Sequence, residues 1–141
     1  MAIANQWDTS YFYKNRSQSP GAFAGLHLLL PIDPASGATT RSYPGHPLAT
    51  ERTLRAIGAS VVLQLPDGRK IAAAVDGGNG HSGKRSADIQ FGLGSLPAGT
   101  PLKAIISWRD RSGSIHRETI DIKQGWQTII LASSQQARVQ A

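Results

Sequence analysis

The chain has 141 residues and no cysteine, and its 15 lysines and arginines against 9 aspartates and glutamates give a formal net charge of +6. A chain of this length buries about two-thirds of its unfolded surface without disulfides, so it fits one globular domain. The lack of cysteine excludes a disulfide scaffold and any cysteine-ligated metal site, and the lack of an apolar run of about 18 residues predicts no membrane span.

The first long segment with a strand pattern is Ala22 to Leu30, in which apolar residues occupy almost every position. Such a run predicts a strand that is buried on both faces. Residues 32–56 follow with three prolines and many serines and threonines. They predict a long loop, with at most one or two helical turns from Thr50 to Ala56.

Two hairpins are predicted in the second half of the chain. Residues 57–65 and 69–76 alternate with a period of two and are joined by Asp67-Gly68, a turn pair typical of hairpins. Residues 102–108 and 115–122 repeat the pattern around a turn at 110–113.

A short strand at residues 89–93 and a last strand at residues 126–131 complete the predicted set. Strands without intervening helical patterns predict an all-β fold. We therefore expect an antiparallel β-sandwich of jelly-roll or immunoglobulin-like type, with long loops and at most one short helix.

Several motifs occur in a specific order from Ile57 onward. They are Ile57-Gly58-Ala59, the Asp67-Gly68 turn, the glycine-rich segment Gly77 to Ser82, Phe91-Gly92-Leu93-Gly94 and the late Trp108. In this order the chain resembles the ASPIC/UnbV domain over about residues 22–131. That domain follows FG-GAP repeats in cartilage-acidic-protein-like molecules and occurs beside enediyne biosynthesis genes. The family usually continues its tryptophan strand into Pro-Ser-Gly, whereas here Arg109 to Gly113 follow, which implies a longer hairpin.

The N-terminal segment resembles the end of an FG-GAP blade, because Ile3-Ala4-Asn5 is followed by Tyr11 to Asn15. The resemblance implies a blade-like strand at residues 1–18, a sandwich at residues 19–132 and a flexible tail at residues 133–141. It also implies that the chain is an excised C-terminal piece whose partner is the propeller domain of the parent protein. Such a protein is expected to be extracellular or secreted, although this chain carries no signal peptide.

The glycine-rich segment includes Gly78-Asn79-Gly80-His81-Ser82-Gly83, which has the spacing of a dinucleotide-binding fingerprint. That fingerprint requires a following helix, but residues 84–94 have a strand pattern. Two interpretations stay open, a flexible loop or a small anion-binding nest completed by two basic residues. The candidate ligand-binding residues are Asn79, His81, Ser82, Lys84 and Arg85.

No pattern in the sequence indicates catalysis. The four histidines, at positions 27, 46, 81 and 116, lack metal-ligand spacing, and His27 is predicted to be a core or interface histidine. No G-x-S-x-G elbow occurs, and the acidic residues are scattered singly, mostly at turns such as Asp33, Asp67 and Asp110. We therefore assign no catalytic residue, no metal and no cofactor, and we predict that the chain is not an enzyme.

The leading hypothesis is a non-catalytic accessory module that binds a protein or carbohydrate ligand. One alternative is binding of a polyanion such as a sulfated glycan, which requires the basic residues to meet at one end of the sandwich. Those residues are Arg52, Arg55, Arg69, Lys70, Lys84, Arg85, Arg109, Arg111 and Arg117. The other alternative is an auxiliary role in enediyne-type biosynthesis, with His81 and Asp88 as an acid–base pair. Nucleic acid is not expected, because Phe91, Trp108 and Trp126 occupy core-like strand positions instead of a base-stacking surface.

Overall fold

The computed structural model describes residues 2–5, 7–18, 20–33, 37–78 and 86–133. Eleven strands occur in these ranges, and no α-helix does, so they contain no helix long and apolar enough to cross a membrane. The strands are β1 (Ala2–Ile3), β2 (Tyr11–Phe12), β3 (Ala22–Pro31), β4 (Arg41–Pro44), β5 (Thr53–Arg55), β6 (Ser60–Gln64), β7 (Lys70–Ala74), β8 (Ile89–Gly94), β9 (Leu102–Arg109), β10 (Ile115–Ile122) and β11 (Gly125–Ile130).

Two sheets pack face to face and enclose the core. One has four antiparallel strands in the order β10-β9-β6-β7, and the other has five strands in the order β4-β11-β3-β5, with β8 also paired to β3. The predicted β-sandwich is confirmed, with one departure from antiparallel order, since β11 runs parallel to β3. The side chains that fill the core come from alternate positions of both sheets and include Leu26, Leu28, Val61, Leu63, Phe91, Ile106 and Ile129.

Strand β3 is the centre of the five-stranded sheet. One of its edges pairs with β11, and two short strands share the other edge, β8 opposite Ala22–Leu26 and β5 opposite Leu29–Pro31. The register of β8 ends at Leu26 and that of β5 begins at Leu29, so neither strand pairs with His27. The break between β8 and β5 therefore lies beside His27, the polar side chain within an otherwise apolar strand.

Both predicted hairpins are confirmed, as β6–β7 and β9–β10. The prediction that residues 32–56 form only a loop is wrong in part, because this region contributes β4 and β5. These short strands pair through their backbones while their side chains are mostly exposed. Without an alternating apolar face, they leave no period-two signal in the sequence.

The N-terminal strands β1 and β2 pair with each other and join neither large sheet. Their hairpin exposes large apolar side chains, with Trp7 91% and Phe12 79% exposed. A two-stranded hairpin is marginally stable in water, so this one lacks the packing that a third strand or a neighbouring layer would supply.

Candidate functional site

His27 is the buried polar side chain at the centre of the outer face of the five-stranded sheet. In β3, Ala24, Leu26 and Leu28 face the core, so the alternate residues point away from it. His27 nevertheless has only 4% of its surface exposed. Side chains from other segments must therefore cover it.

A chain of hydrogen bonds links His27 to a carboxylate on one side and to a second imidazole on the other. His27 Nδ1 lies 2.6 Å from Asp88 Oδ1, and His27 Nε2 lies 2.8 Å from His46 Nδ1. An ionised carboxylate only accepts hydrogen bonds, so Nδ1 of a neutral His27 carries the proton and donates the hydrogen bond to Asp88. His27 Nε2 then accepts from His46 Nδ1, and the Nε2 lone pair of the exposed His46 remains unused by any described residue.

Asp88 is held as a carboxylate by three donors. Arg55 Nη1 and His27 Nδ1 both donate to Oδ1, and the Ser86 hydroxyl donates to Oδ2. Burial acts to raise the pKa of Asp88, but the hydrogen bonds from Ser86 and His27 and the nearby positive charge lower it on balance. The negative charge of Asp88 is offset by Arg55, so the cluster carries no formal net charge when both histidines are neutral.

Trp126 covers His27 and spans the outer face. Its ring stacks on the His27 ring with centroids 4.7 Å apart and planes inclined by 16°, and the Phe23 ring meets it edge-on at 6.0 Å. The prediction that Trp126 is a core residue is therefore wrong, because β11 turns its odd-numbered positions, such as Ile129, inward. Phe91 and Trp108 do lie in the core.

Gly25 makes room for this indole. A Cβ at Gly25 would lie 2.4 Å from Trp126 Cε3. Gly25→Ala is expected to displace the ring and to lower the free energy of unfolding by about 1–2 kcal/mol. Denaturant unfolding and tryptophan emission measure both effects.

Gly92→Ala is the matched control, because Gly92 lies on the adjacent strand β8 and an added Cβ meets no described atom within 4 Å. It should leave stability within about 0.5 kcal/mol of wild type. Equal effects of the two substitutions would show that Trp126 does not need the space above Gly25.

The loop that carries His46 is held to β11 by two hydrogen bonds at Gly45. Gly45 N donates to Trp126 O at 2.7 Å, and Thr128 Oγ1 donates to Gly45 O at 3.0 Å. Beyond His46, the Tyr43 hydroxyl donates to Glu51, and burial together with this contact raises the pKa of Tyr43. The sheet thus presents His46 in a defined position.

A second aspartate–histidine pair organises the β9–β10 turn. The buried Asp110 accepts hydrogen bonds from the backbone N–H groups of Ser112 and Ser114 and lies 2.8 Å from His116 Nε2. His116 stacks on Trp108 with centroids 5.1 Å apart. Both side chains of the pair are buried, which indicates a structural role and agrees with the turn function predicted for Asp110.

Asp110 makes stability depend on pH. Burial raises its pKa, but bonds from Ser112, His116 and Ser114 outweigh this and lower the pKa from 3.8 to about 2. Because the pKa of Asp110 is lower in the folded state than in the unfolded state, ionised Asp110 stabilises the fold above about pH 4, and this stabilisation is lost as the pH falls toward 2. Its contribution to the free energy of unfolding is about 2 kcal/mol.

The difference in unfolding free energy between wild type and Asp110→Asn should therefore shrink by about 2 kcal/mol between pH 6 and pH 2. Denaturant titrations of the two proteins across this range measure it. A difference that is independent of pH would contradict the depressed pKa.

The structure brings together residues that the sequence did not connect. The spacing of the histidines along the chain gave no sign that His27 and His46 are hydrogen-bonded to each other. The candidate ligand residues Asn79, His81, Ser82, Lys84 and Arg85 lie outside the described residues. The pairing of His81 with Asp88 therefore stays a prediction, and the described partners of Asp88 are His27, Arg55 and Ser86.

The basic residues do not all meet at one end of the sandwich. Strand register places Lys70 beside Gln64 and Lys103, whereas Arg109 lies past Ser107 at the opposite end of the four-stranded sheet. Arg69 is paired with Asp67 and Arg55 with Asp88. A single basic end is thus absent from the described part of the chain.

Within the described ranges, no group of three histidine or acidic side chains is arranged to hold a metal ion. The hydroxyl in the cluster is also placed differently from that of a catalytic triad. In a triad the imidazole lies between carboxylate and hydroxyl, but the Ser86 hydroxyl and His27 both bond to Asp88 directly. The arrangement fixes the orientation of His46 and activates no described nucleophile.

Comparison with known proteins gives one match. The family model described as ASPIC and UnbV matches residues 49–138, which is well over half of the chain. No curated protein and no solved structure matches. The matched range begins after β3 and β4, although β3 is the central strand of the same sandwich.

Proposed function

Since the chain belongs to the ASPIC and UnbV family, we propose that it is a non-catalytic accessory module of an FG-GAP-type protein that binds a carbohydrate or protein ligand. The observation that carries this proposal is the outer-face cluster of His27, His46, Asp88, Arg55 and Trp126. The cluster holds aromatic and polar groups rigidly at the surface without an activated nucleophile. Rigidly held groups favour recognition, because little side-chain entropy is lost on binding.

The N-terminal hairpin supports the accessory role. It exposes the large apolar side chains of Trp7 and Phe12 outside the sandwich, and exposed apolar surface commonly marks a contact with another protein. A propeller domain of the parent protein is the partner that we propose for it. An extracellular or secreted location belongs to the same proposal.

The test combines binding with turnover. The purified chain is screened against neutral and sulfated glycans at low and high salt, and against chromogenic ester, phosphate and glycoside substrates. We expect ligand binding and no turnover above that of His46→Ala. Turnover that both His46→Ala and Asp88→Asn abolish would overturn the non-catalytic assignment.

The salt dependence separates the two kinds of glycan. Binding restricted to sulfated glycans and lost at high salt would favour the polyanion alternative, since displaced counterions would then drive association. In that case Lys84→Ala and Arg85→Ala should weaken binding if the glycine-rich loop forms the anion site.

A further inference from the structure

We infer that the outer face of the five-stranded sheet binds the uncharged pyranose rings of a glycan, at a site formed by Phe23, His46, Arg55 and Gln90. This inference rests on the proposed binding function and specifies its ligand. Register places Gln90 opposite Gly25 and Phe23 opposite Gly92 on neighbouring strands. Trp126 lies over Gly25, the centroid of the His46 ring is 5.2 Å from that of the indole, and the Phe23 ring meets the indole edge-on.

The hydrogen-bonding groups at the site demand a ligand with both donors and acceptors. In the neutral cluster His46 Nε2 is an acceptor, Arg55 has N–H groups beyond the Nη1 that binds Asp88, and the Gln90 amide offers one of each kind. No other described residue hydrogen-bonds to the Gln90 amide or to His46 Nε2. Sugar hydroxyls supply a donor and acceptors at neighbouring positions, whereas a sulfate ester supplies acceptors alone and has no donor for Nε2 of a neutral His46.

The charge of the site also favours an uncharged ligand. Arg55 and Asp88 form an ion pair, and the lowered pKa of Asp88 keeps its carboxyl ionised at neutral pH. The described groups of the site therefore present no uncompensated positive charge to an anion, although the whole chain carries +6. Strand register places Lys70 and Arg109 of the other sheet at opposite ends of that sheet.

The apolar contact is supplied by Phe23. Its side chain is 39% exposed on an otherwise well-packed strand, and it rests edge-on against Trp126. The C–H face of a pyranose ring can pack on such an aromatic surface while its hydroxyls reach the polar groups nearby. Because Phe23, Trp126 and His46 are fixed by the sheet and by the tied loop, the site is formed before the ligand arrives.

The experiment measures binding of neutral oligosaccharides, namely β-linked glucan, xylan and mannan fragments and α-linked glucan fragments, with heparan sulfate as the charged probe. Isothermal titration at low and high salt follows an array screen. We expect a neutral oligosaccharide to bind with an affinity that survives high salt. Phe23→Ala and Gln90→Ala should each weaken it at least about tenfold.

Two control variants match these substitutions. Phe12→Ala removes an even more exposed phenylalanine from the N-terminal hairpin, and Gln64→Ala removes an outward-facing glutamine from β6 of the other sheet. Neither should change the affinity. Chemical-shift mapping of wild type should place the perturbed amides on β3, β8 and β11.

Three results would overturn the site: no neutral glycan binds, binding is confined to heparan sulfate and lost with salt, or Phe23→Ala and Phe12→Ala have equal effects. One result would overturn the non-catalytic function while supporting the binding site. That result is hydrolysis of the bound oligosaccharide that His46→Ala abolishes, together with weaker oligosaccharide binding by Phe23→Ala.

Discussion

Asp110→Ala is expected to lower the free energy of unfolding by about 3 kcal/mol, which for a domain of this size lowers the melting temperature by roughly 10 °C. The substitution removes an acceptor that serves two backbone N–H groups of the β9–β10 turn and leaves His116 buried without its partner. Buried groups that lose their only partner incur their full desolvation cost. Among the described residues His116 Nδ1 already has no hydrogen-bond partner, so loss of Asp110 leaves neither ring nitrogen of His116 bonded to a described residue.

Asp67→Ala is the matched control, because Asp67 also closes a hairpin and accepts from the Arg69 backbone and side chain. Its surroundings are exposed, and exposed pairs contribute little, so the loss should stay below about 1 kcal/mol. Thermal unfolding followed by circular dichroism measures both variants. Similar losses for Asp67→Ala and Asp110→Ala would contradict a special role for the buried pair.

His27→Ala is expected to cost about 2–3 kcal/mol and to release His46 from its fixed position. The substitution removes the ring on which Trp126 stacks and breaks the hydrogen-bond chain between Asp88 and His46. Asp88 keeps its contacts with Arg55 and Ser86, which limits the damage. Denaturant unfolding gives the energy, and the imidazole NMR signals of His46 report its release through averaging of their chemical shifts.

His46→Ala controls for the loss of an imidazole as such. It removes one hydrogen bond at an exposed position, so the cost should be about 1 kcal/mol. The double variant then measures the coupling between the two rings. Additive effects of the two substitutions would show that the bond between the imidazoles contributes nothing to stability.

The long strands were predictable because one physical signal dominates them. In β6, β8 and β9 the residues that face the core alternate with less buried ones, and in β6–β7 a tight Asp-Gly turn sets the register. Strands β4 and β5 carry no such signal, since their pairing is made by backbone groups that every residue has. Their existence depends on β3 and β11 offering free edges, which is a property of the assembled sheet.

The outer-face cluster could be anticipated only in part. A histidine inside an apolar run indicates a buried polar group that needs partners, and Gly25 two positions earlier indicates space above the strand for a large neighbour. The partners themselves come from residues 46, 55 and 88, far apart in the chain. Their meeting depends on the break between β5 and β8, which no local pattern encodes.

Because β3 pairs with β11, one edge of β3 stays unpaired while the rest of the chain is synthesised. Strand β3 is the most apolar segment of the chain, yet the strand that covers one of its edges is made roughly 100 residues later. At ribosomal rates of about 5–20 residues per second, the nascent chain holds this edge unpaired for roughly 5–20 s. A chaperone that shields Leu26 to Leu30 during that interval should therefore raise the yield of folded protein, and chains ending before Gly125 should accumulate as aggregates.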